Sequence, residues 1–189
     1  MTTIFKVNSL TESEDFVFFT NHQLESNPLV AKMYKIMHQN STVLISLNYL
    51  NELDPFIIQN IHYETIKETD SIDGYVTDQC IVKNELDSNF LRELSTMVKD
   101  KHLIIGPSFS NIPYFLQSKN LEVAIQHNAT AVMYDVRNID FKNYNELKPL
   151  AKLKSFARKR IEIIPVVESV EKRDELQSLI PFQTVCILD

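Results

Sequence analysis

Few residues in this chain stand at spacings that do chemistry. Three carboxylates, Asp78, Asp135 and Glu168, fall at or just beyond the C-terminal ends of short apolar runs. Acids so placed can move protons, or hold a hard divalent cation through oxygen. Asp78 and Glu168 together could form the paired carboxylates of a glycosidase. The chain has no Trp and no aromatic-rich loop to hold a sugar, which counts against that use. Glu168 equally suits a helix start, where an acid meets the positive end of the dipole, and Asp135 can cap its own loop. His22, His38, His62, His102 and His127 are not spaced like metal ligands, and surface positions are expected for them. Cys80 and Cys186 lack a CxxC partner, so neither a zinc site nor a disulfide framework is expected. No Ser-His-Asp set or nucleophile elbow can be placed. Gly74 and Gly106 are the only 2 glycines, too few for a loop whose backbone N–H groups cradle a phosphate.

The bulk composition is that of a folded, soluble protein. A net charge of −6 argues against general nucleic-acid binding, which needs clustered cations. The densest basic run is Lys152, Lys154, Arg158, Lys159 and Arg160. It is read as a helix end, where cations complement the macrodipole. No apolar run approaches membrane-spanning length and the N-terminus has no signal-peptide pattern, so no membrane contact and a cytoplasmic location are expected.

The elements that must position these residues alternate along the chain. Strands are expected at Thr3–Val7, Phe16–Thr20, Thr42–Leu47, Gly74–Thr77, His102–Ile105, Thr130–Asp135, Ile161–Val167 and Thr184–Leu188. Between most of them run helical patterns with their own start signals. Asp54 and Pro55 give an N-cap followed by proline at the first helical position. Ser88 precedes the stripe Phe90, Leu91, Leu94, Met97 and Val98, and Asn145 precedes Leu147, Leu150 and Ala151. Tyr114 and Phe115 are read as core residues of a helix, with contact to a base or a partner as the alternative. Asn8 to Asp15 is too short for a crossover helix, so the first two strands are expected to pair as an antiparallel hairpin. Eight strands with six intervening helices make a single TIM-like (β/α)8 barrel over residues 1–189; a doubly wound open sheet is the alternative.

Several segments, taken in order, carry a family resemblance. Val167–Glu168–Ser169–Val170–Glu171–Lys172 with Leu176, and Gly106 to Phe115, are the clearest. Ser46–Leu47–Asn48 with Asp54–Pro55–Phe56, Met133–Tyr134–Asp135 and Val76–Thr77–Asp78 complete the set. The ordered set resembles the EAL family of cyclic di-GMP phosphodiesterases, whose barrel has an antiparallel first strand. The resemblance implies a shortened EAL-type barrel whose two-metal site is lost. The family's paired aspartates fall on Leu103 and Ile104, its ligand asparagine on Ser46, its lysine on Met133 and its closing glutamine near Cys186. No Glu-Ala-Leu stands at Phe16–Gln23.

What remains of that family site would be Glu168, Asp135, Asp78 and Ser46, with no metal and no cofactor. Hydrolysis by metal-activated water is not expected from such a set. The resemblance therefore implies a catalytically inactive regulator acting by contact with a protein partner, such as a transcription regulator of motility, adhesion or virulence. A non-hydrolysing cyclic di-GMP receptor and a residual phosphodiesterase are the alternatives. The scarcity of Arg, Lys and Gly at the strand ends counts against cyclic di-GMP binding.

Overall fold

The computed structural model describes residues 1–48 and 54–189. In chain order the elements are β1 (Thr2–Lys6), β2 (Phe16–Phe19), α1 (Asn21–Ser26), α2 (Val30–Met37), β3 (Thr42–Ser46), α3 (Pro55–Glu68) and β4 (Gly74–Thr77). A small ribbon of β5 (Ile81–Val82) and β6 (Glu85–Leu86) precedes α4 (Ser88–Val98), β7 (His102–Ile105) and α5 (Tyr114–Gln126). Then come β8 (Ala131–Asp135), α6 (Tyr144–Ala157), β9 (Glu162–Val167), α7 (Val170–Leu179) and β10 (Thr184–Ile187). The eight long strands close into a parallel barrel in the order β1-β10-β9-β8-β7-β4-β3-β2. This is the α/β barrel that the alternation of strands and helices implies, and all eight expected strands form.

Local signals set the helices. The Asp54 side chain accepts from the Phe56 N–H at the start of α3, and the chain is already fixed there by Pro55 at the first helical position. Asp87 caps α4 by accepting from Asn89 and Phe90. Asn143, two residues earlier than the expected Asn145, caps α6. The basic run does lie at the C-terminal end of α6, where Lys154 occupies the last turn and Arg158 adopts a left-handed C-cap.

Alternate residues of each strand face the barrel axis. Ile4, Phe18, Leu44, Val76, Ile104, Met133, Ile164, Val166 and Cys186 form one sealed cluster there. Their sequence neighbours, such as Val43, Ile45, Tyr75, Leu103, Ile105 and Val132, belong to the larger core between sheet and helices. The same phase carries Lys6, Ser46, Asp78, Asp135 and Glu168 to the C-terminal mouth. It carries Thr42, Gly74, His102, Glu162 and Thr184 to the opposite end.

The expected antiparallel first strand does not form. β1 pairs with β2 in parallel, Phe5 opposite Val17 and Lys6 opposite Phe18. A helix is not needed for this return. A four- or five-residue strand is about 15 Å long, and eight or nine linking residues can span about 26 Å. Tyr34 of α2 fills the place of the missing helix: it is fully buried, donates to the Glu12 carbonyl and accepts from the Glu14 N–H.

Candidate active site at the barrel mouth

The strand C-terminal ends surround a cavity of about 670 Å³. Asp78, just past β4, is half-buried on its wall. Burial raises its pKa above the ordinary carboxylate value, against the lowering effect of hydrogen bonds from Ser108. The Ser108 N–H reaches Asp78 Oδ2 at 3.3 Å. Asn48, after β3, fixes the backbone around it: its Oδ1 accepts from the Asp78 N–H at 2.7 Å while its Nδ2 donates to the Gly106 carbonyl at 3.2 Å. Ser46 is buried below and accepts from the Asn48 N–H. Gly106 permits this close assembly, because an added Cβ would lie 2.5 Å from Met133 Cβ.

Two cations complete the site, each already paired. Arg137 Nε and Nη2 grip Asp135 at 3.0 and 2.9 Å, and Lys6 Nζ lies 2.8 Å from Asp189 Oδ1. Both cations line the cavity, as do Thr20, Asn48 and Ser46. The fork geometry fixes the direction in which the planar guanidinium points.

Behind Asp78 stands His62 of α3, fully buried. Its Nδ1 lies 2.9 Å from the Ile58 carbonyl and its Nε2 2.9 Å from Thr77 Oγ1. A carbonyl can only accept, so Nδ1 carries the proton and Nε2 accepts from the Thr77 hydroxyl. Burial lowers the His62 pKa to about 4, so the ring is neutral at pH 7. Thr77 Oγ1 in turn accepts from the Gln79 N–H, bracketing Asp78 on both sides.

Of the four residues taken as remnants, Ser46 and Asp78 line the cavity and Asp135 reaches it through Arg137. Glu168 is exposed on the rim and does not line it. Asn48 stands in a segment quoted from the sequence but is not among the expected site residues, and neither are Lys6 and Arg137, which supply the very cations that strand ends were expected to lack. His22 and His102 are exposed as expected, but His62 is not. Tyr114 and Phe115 are 46% and 80% exposed, so they are surface residues and not core. Among the described residues no group of three or more His, Cys, Asp or Glu is arranged to hold a metal ion. Among them, too, no helix is long and apolar enough to cross a membrane.

The geometry defines a parallel α/β barrel with a polar, ion-paired mouth. No family model and no curated protein matches the sequence. Solved structures do match in shape. CutC from Streptococcus agalactiae, assigned to copper homeostasis, superposes with a TM-score of 0.74 at 14% identity over 98% of this chain and 97% of its own. 2,3-Dimethylmalate lyase gives 0.68 at 10% identity over 98% and 73%, and the aldolase QR15 gives 0.63 at 12% over 90% and 76%. At these identities the likeness shows the fold alone. It nonetheless corrects the EAL resemblance. The similar barrels named are CutC and enzymes of the aldolase and lyase kind, and the first strand is parallel. The inferences drawn from that resemblance, an inactive regulator of cyclic di-GMP descent and the absence of enzymatic function, fall with it.

Proposed function

We propose that this barrel is an enzyme of the aldolase and lyase kind, taking a small 2-oxo or hydroxy carboxylic acid at its mouth. Asp78 carries the reading: a carboxyl with a pKa lifted by burial opens on a cavity that also holds Arg137 and Lys6. A raised carboxylate is a better base near neutrality than a solvated one. The substrate's carboxylate competes with Asp135 for the fork of Arg137. Asp78 then takes the proton from the carbon beside the carbonyl. The C–H electron pair moves into an enolate, whose charged oxygen the mouth cations stabilise. Return of the proton to carbon completes the exchange. In the cleaving direction the same carboxylate takes the proton of a β-hydroxyl, and the electrons of the breaking C–C bond enter the enolate. The similar aldolase and lyase barrels support this kind of chemistry.

Copper handling, for which CutC is named, suits this chain less well. Soft copper prefers thiolates. Cys80 and Cys186 are buried in separate clusters, and burial raises both thiols, Cys186 to about 12.

The test is proton NMR in D₂O with pyruvate and 2-oxobutyrate. The protein should speed exchange of the C3 protons, and Asp78→Asn should return the rate to that of buffer. Exchange no faster than buffer, with no shift of mouth resonances by either acid, would overturn the reading.

A further inference from the structure

The barrel has a second cavity at its base, on the face opposite the mouth. Barrels of this size are ordinarily filled by layers of bulky branched side chains. Here the inward positions nearest the strand N-termini include the short Thr42, Gly74, Ala131 and Thr184 beside Phe16, His102 and Glu162, and all of these but Gly74 line a space of about 290 Å³. Its floor is the underside of the sealed cluster, made by Ile4, Leu44, Ile104 and Ile164.

Thr184 marks this space as more than a packing fault. It is 9% exposed and lies in the inward phase of Cys186 and Leu188. Its hydroxyl makes no hydrogen bond among the described residues. Every sealed side-chain polar atom among them does have a partner, so the Thr184 hydroxyl is not sealed but opens on the cavity. Glu162 stands at the rim with its carboxylate likewise unpaired among the described residues. A nearly buried hydroxyl without a protein partner is stable only where something in the cavity solvates it.

We propose that this basal cavity binds a small uncharged amphiphile, an aromatic ring or short alkyl chain bearing one hydroxyl, which pairs with Thr184. The size fits, since a cavity of about 150 Å³ suffices for benzene. The electrostatics select against charge of either sign. An anionic head meets the Glu162 carboxylate. A cationic head finds Glu162 at the rim but loses its hydration against the aliphatic floor, His102 being the other titratable group in the lining. The site is independent of the mouth and of the chemistry proposed there.

Benzyl alcohol, toluene, benzoate and benzylamine are the probes, titrated into the full chain and followed by ¹H–¹⁵N NMR at β1, β3, β9 and β10. Benzyl alcohol should bind saturably in the millimolar range, at least tenfold more tightly than benzoate or benzylamine. Ala131→Leu, or Thr42→Leu should the first variant fail to fold, fills the space and should abolish binding. Thr184→Val keeps the shape and should weaken benzyl alcohol about three- to tenfold, the effect of one hydrogen bond, while leaving toluene unchanged. Asp78→Asn should leave all four titrations as they are. Absence of saturable binding, equal binding to the filled variant, or equal weakening of alcohol and toluene by Thr184→Val would each overturn the proposal.

Discussion

The mouth and the base of the barrel are built by the same eight strands in the same inward phase, yet they are opposites chemically. At the mouth the charged groups have protein partners: Asp135 holds Arg137 and Asp189 holds Lys6, while Asn48 ties the end of β4 to that of β7. At the base Thr184 and Glu162 stand unpaired, among the described residues, over an aliphatic floor. The difference follows from what flanks each end. Strand C-termini run into helix N-termini and tight turns whose N–H groups and caps can orient side chains. Strand N-termini are fed by helix C-termini, which offer carbonyls and leave short inward side chains alone. Pre-paired charge suits a site that must be aimed before its ligand arrives; a lined void suits one selected by shape.

The comparison breaks most readily at Asp78. Asp78→Asn should lower the exchange rate about 10²- to 10⁴-fold, as expected for loss of a general base. The same variant should be more stable at pH 7. The folded state raises this pKa, so ionising Asp78 in place opposes folding, and the penalty grows as pH rises through the folded value. A rise in midpoint temperature with loss of turnover separates the two effects. An unchanged rate in Asp78→Asn would erase the functional contrast between the ends.

A second effect concerns His62, behind the mouth. Its folded pKa of about 4 lies below the ordinary histidine value of 6.5, so the folded state favours the neutral ring. The stability this represents is present in full above pH 6.5 and is lost as pH falls from there through 4. The loss is about 3 kcal/mol. Urea denaturation across this window should show the fall in the wild type, and His62→Gln should flatten it.

Smaller again is the expected effect of Arg137→Met, which should raise KM for a 2-oxo acid about tenfold, since a charge-assisted hydrogen bond contributes about 1.5–3 kcal/mol. Arg137→Lys should recover only part, because a point charge cannot replace the fork. Smallest is Ala131→Leu at the base, expected to raise stability by about 1 kcal/mol by occupying the void. A loss of more than that by chemical denaturation would mean the base is already close-packed.

Much of the barrel was legible because its strands are short apolar runs and its helices announce their caps. Asp54 before Pro55 is a start signal that reads the same in sequence and structure. The site was legible only in part. Asp78 and Ser46 could be named from their strand-end positions, but Lys6 and Arg137 are single cations whose meaning comes from the closure of the barrel. His62 looks like any surface histidine until β4 packs against it. The mistaken family reading has a physical source too. Each segment that carried it performs a local task common to α/β barrels: Ser169 caps α7 by accepting from Lys172, Asp54 caps α3, and Gly106 lets β7 pass Met133. Such segments recur wherever strands feed helices in this order, so their sequence does not identify a chemistry. The antiparallel first strand was misread because link length bounds a crossover helix but does not forbid a helix-free return.

That helix-free return has a consequence for how the wall breathes. β1 buries only Ile4 fully, and two paired positions tie it to β2 and four to β10. On its outer side Arg173 of α7 reaches Thr3. Regions with few buried contacts open at the lowest free energy. Among the barrel strands, amide hydrogen exchange should therefore be fastest along β1, and each such opening lifts Lys6 away from the rim. The rate of that exchange sets a clock for how often the barrel parts along its first seam.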